Sequence, residues 1–138
     1  MLTNGYKFVV QNIDEVCISL KAITKEKFKN FTGVDDTETV FENFKKYVKT
    51  GIKVKAESVF IPNFIDNDEI EKLTKFIASV DKNIPYRIDG YIPHQNDIFR
   101  VPTKEEIDKA KNIVKKYLNN VTTFHKKIKL KYEVKEIY

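Results

Sequence analysis

Polar residues stand at or near the ends of three apolar runs in this sequence: Ser19 and Lys21, then Glu57 and Ser58, then Asp89, with His94 and Arg100 just beyond. Their types suit the binding and orientation of a charged, hydrogen-bonding ligand. In parallel α/β architectures such groups gather at the carboxyl ends of the strands, where loops are free to vary while the sheet holds them rigidly. Each residue also has a structural reading. Lys21 could snorkel from a strand end, Glu57 could pair with a lysine, and Asp89 could bond a loop backbone. Their shared position favours function, because burying several charges without partners costs on the order of several kcal/mol.

The elements that must position them follow from periodicity. Glu15-Val16-Cys17-Ile18-Ser19-Leu20 is short, β-branched and nearly continuous in apolar character, which predicts a strand buried on both faces. A short helix is expected from Thr24 to Gly33. A second runs from a cap at Asp36 or Thr37 to Gly51, with Val40, Phe41, Phe44, Tyr47 and Val48 at helical spacing. Residues 52–61 form a strand stopped by Pro62, and Asp66 or Asn67 opens a helix with Ile70, Leu73, Phe76, Ile77 and Val80 inward. Its first turn carries Asp68 and Glu69, favourable to the helix dipole.

Tyr86–Ile92 gives a third strand, closed by Pro93. Thr103 and Glu106 form a capping box for a helix whose stripe is Ile107, Ala110, Ile113, Val114, Tyr117 and Leu118. From Lys127 to Tyr138 apolar residues alternate with charge, the pattern of a final edge strand. Strand and helix thus repeat three times, which produces a parallel sheet with right-handed crossovers. Three units cannot close an eight-stranded barrel. The fold class expected is α/β, an open partial barrel with a C-terminal edge strand.

The 138 residues, 41% hydrophobic and 12% aromatic, suit one domain and exclude a disordered or fibrous chain. The net charge of +5 arises from 25 basic and 20 acidic residues interspersed along the chain, so a nucleic-acid stripe is not expected. Cys17 is the lone cysteine, has no intrachain partner, and reads as a buried small hydrophobe of a reducing, cytoplasmic compartment. No apolar stretch approaches the ~20 residues that span a bilayer, and a soluble protein is expected.

In order and spacing, LTNG at 2–5, EVCISLKAI at 15–23, FTGV at 31–34, ENFKKYVKTGIKV at 42–54 and ESVFIPNFID at 57–66 resemble one family. It is the glycyl-radical-enzyme activating enzymes of the radical S-adenosylmethionine superfamily. YRIDGYIP at 86–93 and Arg100-Val101-Pro102-Thr103 resemble its archaeal, pyruvate formate-lyase activating enzyme-like members. The resemblance covers residues 1 to about 121. It implies a single domain, the C-terminal part of a partial TIM barrel, with barrel units to residue 121 and an extra strand over 122–138.

The resemblance implies cosubstrate contacts for Thr3 and Asn4, which with Gly5 match a Thr-Asn-Gly motif, and for Lys21, which matches the lysine of a following Asp-x-Lys. Ser19 replaces the aspartate before that lysine, and Leu2 stands where an aspartate is frequent. Glu57 falls at an arginine position, Val59 is implied beside the adenine, and Ile61-Pro62 matches an Ile-Pro. Ser58, Asp89, His94 and Arg100 are implied to face substrate, although Tyr91-Ile92-Pro93-His94 departs from the family's Leu-Pro-Tyr-His.

The implied reaction is reductive cleavage of S-adenosylmethionine to a 5′-deoxyadenosyl radical, which takes hydrogen from a protein glycine or another substrate. It needs a [4Fe-4S] cluster on a CxxxCxxC loop. With Cys17 alone, this chain is expected to bind no cluster or cosubstrate by itself and to be inactive in isolation. Both cofactors belong to a parent enzyme whose N-terminal, cluster-bearing half is the expected partner, in the same chain or as a separate subunit. The alternative is a non-catalytic docking module from a truncated or split gene; a small nucleic-acid-binding domain is the third reading.

Overall fold

Residues 1–125 are described by a computed structural model, and the strand expected from Lys127 to Tyr138 lies outside them. In chain order the elements are β1 (Leu2–Thr3), β2 (Glu15–Ser19), α1 (Lys25–Thr32), α2 (Glu38–Lys49), β3 (Lys53–Phe60), α3 (Asn67–Val80), β4 (Tyr86–Gly90), α4 (Lys104–Lys115) and β5 (Val121–Phe124). The five strands form one sheet in the order β1-β2-β3-β4-β5, every neighbouring pair parallel. Strands that follow one another in a single direction through right-handed crossovers place their helices on one face and leave the sheet unclosed.

Register and burial confirm that geometry. Ile18 pairs with Ala56, Ala56 with Tyr86, and Tyr86 with Val121, so these side chains share a face. That face is covered: Val16, Ile18, Val54, Ala56, Phe60, Tyr86 and Ile88 are buried with Val40, Phe44 and Tyr47 of α2, Ile70, Leu73 and Ile77 of α3, and Ile107, Ala110 and Val114 of α4. A fully buried side chain of this size contributes about 1.5–3 kcal/mol relative to leaving it exposed.

The intervening residues face the other way. Glu15 and Cys17 are only partly buried, and Lys53, Lys55 and Arg87 are exposed. The expectation that β2 is covered on both faces is therefore corrected, and so is the reading of Cys17 as buried. Among the described residues helices cover one side only, and the alternation of a strand turns every second side chain to the other.

Helix ends mostly follow the sequence signals. Gly33 adopts φ 78° after α1 and returns its N–H to the Lys29 carbonyl. Thr103 and Glu106 complete the capping box of α4. Glu69, in the first turn of its helix as expected, does more than favour the dipole. Its carboxylate is fully buried and accepts from the N–H groups of Ile23 and Thr24 at 2.6 and 2.7 Å and from the Thr24 hydroxyl at 2.6 Å. It thus clamps α3 to the β2–α1 turn. At Gly5, φ is 84° and a Cβ would meet Val40 Cγ1 at 2.9 Å, so the turn after β1 requires glycine to sit against α2.

Candidate functional site on the open face of the sheet

Parallel register brings the odd-numbered residues of β2, β3 and β4 into rows across the uncovered face. One row is Ser19, Glu57, Arg87 and Thr122; the next, nearer the carboxyl ends, is Val59, Asp89 and Phe124. A charge network ties the rows together. Arg87 Nη2 donates to Glu57 Oε2 at 2.6 Å and to Asp89 Oδ2 at 3.1 Å, and Arg87 Nε lies 2.8 Å from Asp89 Oδ1. That Oδ1 is buried and receives no aligned hydrogen bond among the described residues, which leaves it acceptor capacity. The Asp89 carboxylate, with Glu57 behind it, pushes the Arg87 guanidinium above its ordinary value.

Val59, Arg87, Asp89, Gly90, Tyr91, Ile92 and Phe124 line a cavity of about 390 Å³ on this face. It combines apolar walls with a carboxylate and a guanidinium, the composition of a small-molecule site. Closer to the amino ends, Cys17 lies beside Glu57 and Lys55; burial first, and then the Glu57 charge, push its thiol up. Lys55 is taken by Glu15 at 3.0 Å. A larger cavity, about 520 Å³ and lined in part by Glu15, Lys53, Asp81 and Ile84, opens at the amino-terminal rim, away from the rows. In barrel folds that rim serves stability and the carboxyl rim carries chemistry.

The structure does not bring all of the sequence-selected residues together. Ser19, Glu57, Val59 and Asp89 share the open face. Ser58 does not: it is 1% exposed on the helix-covered side, where its hydroxyl donates to the Leu20 carbonyl and accepts from the Tyr86 hydroxyl, both at 2.7 Å. Its expected substrate-facing role is corrected to that of a buried bridge. Ile61, 1% exposed and paired with Ile65, offers no surface to an adenine. Thr3 pairs with Ile18, so it faces the helix side, and its hydroxyl accepts from Gly5 N–H. Asn4 is exposed, with Oδ1 accepting from Tyr6 N–H.

Lys21 places its ammonium 5.8 Å from the centre of the Phe31 ring. His94 is exposed in the loop after β4. Arg100 is turned to Glu106, 2.6 Å away, and lines a separate cavity of about 340 Å³ with Phe60, Pro62 and Asn67. The residue missed by sequence reasoning is Arg87. Its spacing of two from Asp89 in a strand put both on one face, and that alternation was the available signal.

Among the described residues no three His, Cys, Asp or Glu side chains are grouped to hold a metal ion, so a [4Fe-4S] cluster does not fit them. Nor is any helix among them long and apolar enough to cross a membrane.

No protein-family model matches the chain. It is 38% identical over 128 residues to a protein of Methanocaldococcus jannaschii provisionally named a glycyl-radical enzyme activating enzyme, a match covering 87% of this chain and 49% of that protein. Over 90 residues it is 31% identical to a protein of Saccharolobus islandicus provisionally named a GTP 3′,8-cyclase, covering 60% of this chain and 29% of that one. The chain therefore spans half or less of the length of these relatives. Among solved structures, a domain of pyruvate-formate lyase-activating enzyme from Bacteroides vulgatus superposes with a TM-score of 0.71 at 18% identity, covering 82% of this chain and 68% of that domain. A radical SAM methyltransferase from Sphaerobacter thermophilus gives 0.70 at 18% identity, with 79% and 33% covered. In sequence the chain is thus similar to a protein provisionally named an activating enzyme, and in fold its open parallel α/β sheet is like that of these two solved structures.

Proposed function

We propose that this chain is the C-terminal wall of a radical S-adenosylmethionine protein, contributing surface for the cosubstrate and for the substrate end of the site. The observation that carries the reading is the pair of rows on the uncovered face, Ser19–Glu57–Arg87 and Val59–Asp89–Phe124, lying side by side in register. In such a protein the chemistry is reductive cleavage of S-adenosylmethionine to a 5′-deoxyadenosyl radical, supplied by a [4Fe-4S] cluster held on the remaining half.

The residues of this chain bind and orient. Val59, Ile92 and Phe124 give an apolar surface for a planar group and exclude water from it. Asp89 Oδ1, ion-paired with Arg87 Nε but receiving no aligned hydrogen bond, keeps acceptor capacity, and Glu57 and Ser19 supply polar contacts one row deeper. Lys21 stands at the rim, where its charge meets an incoming carboxylate, and His94 flanks the same end of the sheet. A half-wall of this kind holds no cofactor by itself, so turnover belongs to the assembled protein.

The test is a chimera in which the 138-residue chain replaces the matching segment of a complete radical S-adenosylmethionine enzyme. Loading of the cluster is verified by its thiolate-to-iron absorption. The expected result is reductant-dependent release of 5′-deoxyadenosine, lowered by D89N. A cluster-loaded chimera that leaves S-adenosylmethionine intact would falsify the reading.

A further inference from the structure

Two carboxylates from adjacent strands, one register step apart on the same face, repel each other unless a cation is built in between. Here the cation is Arg87, directly opposite Glu57 and two residues before Asp89. The guanidinium is the outermost member of the group: its side chain is 52% exposed, against 14% for Glu57 and 23% for Asp89. The nearby Lys55 is engaged elsewhere, by Glu15. Among the described residues, Arg87 is the one paired with both acids.

We infer that Arg87 is the positioning residue of this wall, a single guanidinium that fixes Glu57 of β3 and Asp89 of β4 at one mutual spacing so that both carboxylates present themselves together to a bound ligand. This rests on the wall reading given above. The role uses what distinguishes arginine: planar, forked N–H donors can engage two carboxylates at once, whereas a lysine ammonium is a point charge on a flexible stem. It also explains why the acids are less exposed than their partner. Arg87 joins the two strands at the level where the cavity begins.

Nuclear magnetic resonance on the ¹⁵N-labelled 138-residue chain tests the geometry without any ligand. A fixed guanidinium gives resolved, slowly exchanging Arg87 Nη–H signals at neutral pH, averaged in D89N and shifted in E57Q. A signal averaged like that of a free arginine overturns the inference. R87K and R87Q are then compared, their folding checked from the amide spectrum. In the active chimera, R87K raises KM for S-adenosylmethionine about tenfold, the loss of one charge-assisted hydrogen bond, with a smaller change in kcat. An R87K chimera with unchanged KM overturns the inference alone, whereas a cluster-loaded chimera inactive with Arg87 in place sinks the wall reading and the ligand role of Arg87 with it.

Discussion

At the scale of single residues, one strand carries two kinds of polar group with opposite purposes. Glu57 faces the open side with Arg87, whereas Ser58 is sealed under the helices and bridges Leu20 to Tyr86. Ser58→Ala would leave the buried Tyr86 hydroxyl without its acceptor and is expected to destabilise the fold by about 1–3 kcal/mol, read from denaturant unfolding. Gly5→Ala meets two penalties at once, a left-handed φ of 84° and a Cβ at 2.9 Å from Val40 Cγ1. It should lower stability by about 1–2 kcal/mol or more in the same measurement, and an unchanged midpoint would contradict the tight turn. The polar residues at strand ends were legible in the sequence as types and as positions. Their facing was not, because the sequence marks residues 52–61 and 86–92 as strands without assigning their alternate side chains to two faces, the alternation that separates Glu57 from Ser58 and pairs Arg87 with Asp89.

Among elements, two connections at the carboxyl rim depend on carboxylates. Glu69 reaches from α3 to cap the start of α1, satisfying two backbone N–H groups and the Thr24 hydroxyl. Glu69→Ala should destabilise by at least the desolvation of one stranded donor, about 1–3 kcal/mol, and hydrogen exchange should locate the loss in α1. Protection in α1 equal to that of the parent chain would refute the clamp. The sequence showed Glu69 in a helix first turn; a partner 45 residues away could not be read from local pattern.

The loop after β4 is tied by the Tyr91 hydroxyl donating to the Asp97 carboxylate, which also accepts from Phe99 N–H and is held below its ordinary value of 3.8, chiefly by that hydroxyl. Phe99 in turn stacks on Phe64 at 5.2 Å. For a carboxylate whose folded value is depressed, the contribution is complete above the unfolded value and is lost as pH falls through the folded one. The loop should therefore be insensitive to pH from neutrality to about 5 and loosen below about 4, while D97N should be loose throughout. Tyrosine resonances followed against pH check both; a transition near neutrality would contradict the assignment.

For the molecule as a whole, the order of strands and helices was legible because the three longer strands and four helices each carry a clear period. The short strands were not: two residues in β1 and four in β5 are too few to show alternation, and only tertiary pairing defines them. Parallel sheets ordinarily have both faces covered. Among the described residues this one covers a single face with helices and lines the other with ion pairs and a cavity, a division that the alternation of a strand makes possible.

The claim on which everything turns is that the uncovered face meets the cosubstrate while the covered face only holds the fold. It is tested most directly by steady-state kinetics of the cluster-loaded chimera carrying E57Q or S58A, separately, with S-adenosylmethionine varied. E57Q is expected to raise KM about tenfold with little loss of stability, and S58A to lower stability and leave KM alone. Equal effects of the two substitutions on KM, or no effect of E57Q, would contradict it.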